Sequence, residues 1–160
     1  LHAIKKLNDS HVRLYIAGSG SELSNLMALS RQLDLGPQVT FSGFMTQAQL
    51  KNLYRRMDLA VLTSYSESFP LVLLEASDNL LPILSTDIGD IKVMIPNPEY
   101  GFIAKTGNVD SIVNELREAV NKDPKELSAM ATREKKYVAD HFSVKKQLAS
   151  IEKVYKQLTK

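Results

Sequence analysis

The chain has 160 residues, 44% of them hydrophobic and 24% charged, enough for one domain with a single core and at most two helical layers around one sheet. A net charge of +2 is too small to point to nucleic acid or an anionic membrane surface, and the absence of cysteine excludes disulfides and thiolate metal sites. No apolar run approaches the roughly 18 residues that cross a bilayer, and no signal-peptide pattern opens the chain.

Leu1, Ile4, Lys5 and Leu7 read as the end of a helix, so the chain is expected to begin inside an element. Residues 12–17 predict a short strand, stopped by the turn Gly18-Ser19-Gly20. Ser21 is placed to cap a helix carrying Leu23, Leu26, Met27, Leu29 and Leu33, which Gly36-Pro37 ends. Val39 to Phe41 is a second strand, closed by Gly43, and Thr46 caps a helix with Leu50, Leu53, Tyr54 and Met57 on one face. Leu59 to Leu62 is a continuous apolar strand of the kind that parallel sheets bury on both faces. Leu71 to Asn79 predicts a short helix, and Ile83 to Thr86 and Phe102 to Ala104 the last strands. From Val109 the pattern is helical, interrupted at Pro124, and Ser143 caps a final amphipathic helix with Val144, Leu148, Ile151, Tyr155 and Leu158. Strands and helices that alternate in this way predict an α/β fold with a mostly parallel sheet and right-handed crossovers. Ligands of such sheets bind beyond the carboxyl ends of the strands, which selects loops 18–21, 43–46 and 64–70.

The third of these loops carries the chemistry, in Ser64-Tyr65-Ser66-Glu67-Ser68-Phe69-Pro70-Leu71-Val72-Leu73-Leu74-Glu75. Pro70 suits the first helical position. A helix N-terminus at the carboxyl edge of a parallel sheet offers free N–H groups and a positive dipole end, a site for a phosphate or diphosphate. Pro70 has no N–H, so the donors would be Leu71 and Val72. Glu75 follows about 7 Å along the axis, at about 1.5 Å per residue, among apolar neighbours that predict a buried helix. Two uses fit such a carboxylate: an edge position paired with a lysine, or an acceptor for the two hydroxyls of a ribose. Glu67, a loop carboxylate beside three serines, reads more readily as a solvated loop residue.

The spacing Glu-x7-Glu within Ser-Glu-Ser-Phe-Pro-Leu-Val-Leu-Leu-Glu-Ala resembles the signature of retaining GT-B glycosyltransferases of the family 4, or group 1, type. The resemblance runs from about residue 11 to 158. It takes in Ala17-Gly18-Ser19-Gly20, the block 39–44, the block 58–62 and the block 81–89. It implies the C-terminal half of a GT-B fold, a Rossmann-like three-layer sandwich that binds a nucleotide-sugar donor, over residues 1–160. Glu67 is then the candidate catalytic residue, contacting donor-sugar hydroxyls, and Glu75 takes the ribose. Backbone around Ser68, Phe69, Pro70, Leu71 and Val72 holds the diphosphate, Phe44 and Met45 lie against the base, and Gly18 and Gly20 admit the ligand closely.

Three departures from the family pattern stand out. The strand and basic Gly-Arg…Lys-Gly loop that normally open this half of the family are not found in this sequence, which is expected to leave strands 12–17 and 59–62 facing a gap. Direct pairing of the two would close it, or a strand from another copy, through self-association at exposed edges. Asp78-Asn79-Leu80-Leu81 replaces small residues and Gly, and Asp90 replaces a second Gly after Gly89. The acceptor-binding N-terminal domain lies outside the sequence, and the last helix is expected to reach toward it.

His2, His11 and His141 fall outside the predicted ligand loops. Gly18-Ser19-Gly20 lacks the third glycine of a dinucleotide fingerprint, and Ser66 and Ser68 lack the glycines of a hydrolase elbow. Two rivals stay open, a GT-B-fold sugar-nucleotide epimerase and a non-catalytic binding or assembly module. What the resemblance implies is sugar transfer to an acceptor hydroxyl with retention, without metal or other cofactor. It also implies a cytoplasmic setting, an acceptor at the membrane periphery, and a role in polysaccharide or glycolipid synthesis.

Overall fold

The computed structural model describes residues 1–158 and follows this order of elements. Helix α1 (His2–Leu7) leads to β1 (Leu14–Ala17), α2 (Leu23–Gln32), β2 (Val39–Gly43), α3 (Gln47–Tyr54) and β3 (Ala60–Leu62). Then come α4 (Leu71–Asp78), β4 (Ile83–Thr86), α5 (Ile91–Met94), β5 (Phe102–Ala104), α6 (Val109–Asn121), α7 (Pro124–Phe142) and α8 (Val144–Leu158).

Every pairing among the described strands is parallel. β1 pairs with β2, and β3, β4 and β5 form a second group in that order, with no ladder between β1 and β3. The gap expected from the sequence is therefore present, and direct pairing does not close it. Its effect shows in burial. β4, flanked on both sides, is buried at all four positions, whereas Val61 in the middle of β3 is 41% exposed. Leu59 to Leu62 is apolar enough for a central strand, yet β3 has a neighbour on one side only.

Side chains alternate across β4 and β5 and so build two cores. Leu84, Phe102 and Ala104 face a cluster with Ile4 of α1, Leu116 and Ala119 of α6, and Met130 of α7. Ile83 faces the opposite cluster with Tyr54 of α3, Leu73 and Ala76 of α4, and Ile91 and Met94 of α5. The result is the expected three-layer sandwich. α7 serves both layers, Met130 on one and Val138 and Phe142 on the other. Each large apolar side chain buried in this way contributes about 1.5–3 kcal/mol.

Local boundaries follow cap chemistry, with four corrections to the sequence expectations. Ser21 does not cap α2, whose N-cap is Glu22 with no side-chain bond. Pro70 is the N-cap of α4, one position earlier than expected, because its ψ of 98° is extended. α4 is not buried all round: Leu73 and Ala76 face the core, but Leu71 is 66% and Val72 41% exposed. The short α5 was not legible in the sequence. Thr46 does cap α3, in a capping box with Gln49. Asp123 caps α7 just before Pro124, and Ser143 stands extended between α7 and α8.

Candidate functional site

The loops after β1, β2 and β3 lie along the carboxyl ends of the parallel strands, and hydrogen bonds join them in part. Gly18 N–H donates to the Gly43 carbonyl at 2.7 Å, tying the first loop to the second. Both glycines have left-handed φ, +129° and +65°. Gly18 and Gly20 are exposed, with open space where a Cβ would stand. No hydrogen bond joins that turn to Glu67 or Glu75 among the described residues.

The second loop reaches the third through α3. Thr46 fixes the first turn of α3, and Gln47 Nε2 donates to Glu75 Oε1 at 3.2 Å. Phe44, 77% exposed, precedes this turn on the open side. Gln47, Ala48, Lys51 and Tyr54 of α3 and Leu74, Glu75, Asp78 and Asn79 of α4 line a groove of about 430 Å³. Of the two uses left open for Glu75, a lysine pair is not the one seen. Lys135 pairs instead with Asp78, Nζ to Oδ1 at 3.1 Å.

Glu67 is held from two sides. Ser64 Oγ donates to Glu67 Oε1 at 2.9 Å, and Thr86 Oγ1 donates to the Ser64 carbonyl at 2.7 Å, which anchors the loop to the end of β4. Gly89, φ +46°, presses against the backbone of Glu67 and Ser68. Glu67 is thus a half-buried, bonded residue rather than a solvated loop carboxylate.

At the start of α4 the Leu73 N–H bonds back to the Pro70 carbonyl at 3.0 Å, while the N–H groups of Leu71 and Val72 carry no backbone bond. Two open donors at the dipole's positive end are what an anion needs. Phe69 packs its ring on Phe142 at 5.3 Å and so anchors the loop to the end of α7. Pro70 is buried beneath the turn, and Ser68 is exposed beside it.

The arrangement sets an acceptor, Glu75, in the second turn of a helix whose first turn offers free donors. Such a pairing suits a ligand with an anionic group at one end and a diol at the other. Sequence reading did not single out Gln47, Ser64 or Thr86, and took Tyr54 only as packing. The cap at Thr46 was the one signal that placed Gln47 in the first turn facing α4. His2 and His11 are exposed, and His141 stacks on Tyr137 at 4.1 Å, none of them in the groove. Among the described residues no three His, Asp or Glu side chains gather to hold a metal ion.

Residues 1–137 match the family described as glycosyl transferases group 1. The D-inositol 3-phosphate glycosyltransferase of Mycolicibacterium smegmatis is 33% identical over 122 residues, 73% of this chain and 28% of that protein. The chain spans roughly a third of the curated relatives it matches. In fold it resembles Anabaena Alr3699/HepE in complex with UDP, with a TM-score of 0.82 and 20% identity over 98% of this chain and 43% of that one. It also resembles the C-terminal domain of a glycosyl transferase group 1 family protein (LpcC) from Francisella tularensis, with a TM-score of 0.76 and 21% identity over 89% of this chain and 77% of that one.

Proposed function

The chain belongs to the glycosyl transferases group 1 family, and from that premise we propose that it is the donor-binding C-terminal domain of a retaining glycosyltransferase. The whole protein would move a sugar from a nucleoside-diphosphate donor to an acceptor hydroxyl, the acceptor being held by an N-terminal domain outside this sequence. One observation carries the assignment of the donor site: Leu71 and Val72 offer open N–H groups in the first turn of α4, and Glu75 stands in the next turn at the groove.

In this reading the diphosphate sits at the N-terminus of α4, over backbone from Ser68 to Val72. Charge that builds on the departing diphosphate meets the helix dipole, and basic side chains from the rest of the protein add to it. No metal or other cofactor has a role in it. Glu75 accepts from the ribose hydroxyls, the turn at Phe44 lies against the base, and Gly18 and Gly20 leave room for the ligand. Glu67, oriented by Ser64, contacts hydroxyls of the sugar and is the candidate catalytic residue. The UDP bound by HepE, a protein of the same fold, supports a nucleoside diphosphate as the ligand class.

A cytoplasmic enzyme of polysaccharide or glycolipid synthesis, with an acceptor at the membrane periphery, fits this chemistry. Among the described residues no helix is long and apolar enough to cross a membrane. The open edges of β1 and β3 also offer a route to self-association, and a monomer by light scattering at high concentration would exclude it. No observation favours an epimerase or a non-catalytic module.

The test is a calorimetric titration of the chain with UDP, GDP and ADP, with Glu75→Ala alongside. Saturable binding of one nucleotide that the substitution abolishes supports the assignment. Binding indifferent to Glu75 sinks it.

A further inference from the structure

Beneath Glu75 lies a polar atom that the packing of the protein does not explain. Tyr54 is 9% exposed, its ring is part of the core around Leu73 and Ala76, and its hydroxyl is covered yet has no hydrogen-bond partner. An unpartnered buried hydroxyl costs stability, and a phenylalanine would fill the same space without that cost. The hydroxyl faces the Glu75 carboxylate, and both line the same groove. Burial first, then the charge of Glu75 and the close approach of its carboxylate, push the Tyr54 phenol up to about 12, so Oη keeps its proton and can only donate toward a carboxylate. From the rim of the groove Gln47 already donates to Oε1, at 3.2 Å, the long end of the range for such a bond.

We propose that Tyr54 and Gln47 are positioning residues that orient the Glu75 carboxylate toward two vicinal hydroxyls of the ligand, a role that rests on the reading of Glu75 as the ribose acceptor. A carboxylate can accept from both hydroxyls only when both of its oxygens face the ligand. Left to itself it turns about its last torsion at little cost. A donor at the groove rim and a second one behind the carboxylate fix that torsion. In the free protein Tyr54 Oη lies near the Glu75 carboxylate without a well-formed hydrogen bond to it, and the bond tightens when the ligand draws Glu75 into place, as hydrogen bonds at such sites do on binding. The donor left idle in the free protein then strengthens binding selectively for ligands that carry the diol.

The experiment is a cycle between protein and ligand hydroxyls. The chain, Tyr54→Phe, Gln47→Ala and Glu75→Gln are titrated with whichever of UDP, GDP or ADP binds most tightly, and with its 2′,3′-dideoxy counterpart, and each protein is also melted without ligand. Tyr54→Phe and Gln47→Ala are each expected to weaken the ribonucleotide about five- to tenfold and to leave the dideoxy ligand unchanged. Free Tyr54→Phe is expected to melt at the same temperature as the parent or higher, which a purely structural hydroxyl would not allow. Equal weakening of both ligands by Tyr54→Phe, or no weakening of either, overturns the positioning role. If the parent and Glu75→Gln both bind the two ligands alike, or the parent binds none, the ribose reading itself falls and the positioning role with it.

Discussion

Gly89 lies so close to Glu67 that a Cβ on it would overlap the Glu67 backbone carbonyl oxygen, with the Ser68 carbonyl oxygen 3.2 Å away. Its φ of +46° is itself a conformation that side chains resist. The turn after β4 and the loop bearing the candidate catalytic carboxylate are therefore fitted to one another through a missing side chain. Gly89→Ala is expected to cost about 2 kcal/mol or more from φ and overlap together. It should also displace Glu67, weakening nucleotide-sugar binding more than nucleoside-diphosphate binding. Paired titrations with the two ligands and a thermal melt check this.

Leu80 is the reverse case, a side chain where glycine would serve better. α4 ends with the Leu81 N–H on the Ala76 carbonyl and the Leu80 N–H on the Ser77 carbonyl, which requires Leu80 at φ +59°. Leu80 is 50% exposed and loses little packing when removed. Leu80→Gly is expected to stabilise the fold by about 0.5–1 kcal/mol, the left-handed penalty less the added chain entropy. A rise of a few degrees in melting temperature supports this, and a fall contradicts it.

Glu134 makes stability depend on pH. It is 1% exposed in α7, no ion pair or well-formed hydrogen bond among the described residues meets its carboxylate, and burial raises its pKa to about 7, with the nearby Ser77 hydroxyl opposing the rise. The folded state therefore holds a proton that the unfolded state releases above pH 4.5. Its contribution to stability is full below pH 4.5, falls through the interval up to about 7, and is lost above it. The loss amounts to about 3 kcal/mol. Denaturant unfolding from pH 5 to 8 should show the fall in the parent and a flatter profile in Glu134→Gln. Parallel profiles would count against it.

α8 adds little to the core. None of its residues is buried, and Val144, Leu148, Ile151, Val154 and Leu158 are 45–78% exposed on one side. Ending the chain after Ser143 is expected to shift the melting temperature by no more than a few degrees, because a helix that buries nothing in a domain stabilises it little. Loss of cooperative melting would show that α8 covers more of the core than its exposure indicates.

Much of this was legible in the sequence because periodicity and turn residues report local structure. The strand at Ile83 to Thr86 was legible although its burial was not, and Thr46 gave a true cap. Glu75 could be placed on α4 by counting from Pro70. Exposure was harder to read. Leu71 and Val72 look like core residues, but both stand largely open among the described residues, and hydrophobicity does not say which neighbours are present. The partners of Glu75 and Glu67 were hidden for another reason. Gln47 lies 28 residues from Glu75, and Gly89, after β4, meets Glu67, after the neighbouring β3, so only the folded chain brings either pair together.

The central claim is that the N-terminus of α4 receives the diphosphate, and backbone amide NMR tests it most directly. The labelled chain would be titrated with UDP, GDP and ADP, and separately with the matching nucleosides. The account predicts that the Leu71 and Val72 amides move with a diphosphate and stay still with its nucleoside, while Gln47 and Glu75 respond to both. Diphosphate-specific shifts elsewhere, for instance around the groove at Lys125, Ser128 and Arg133 on α7, with Leu71 and Val72 unmoved, would contradict it.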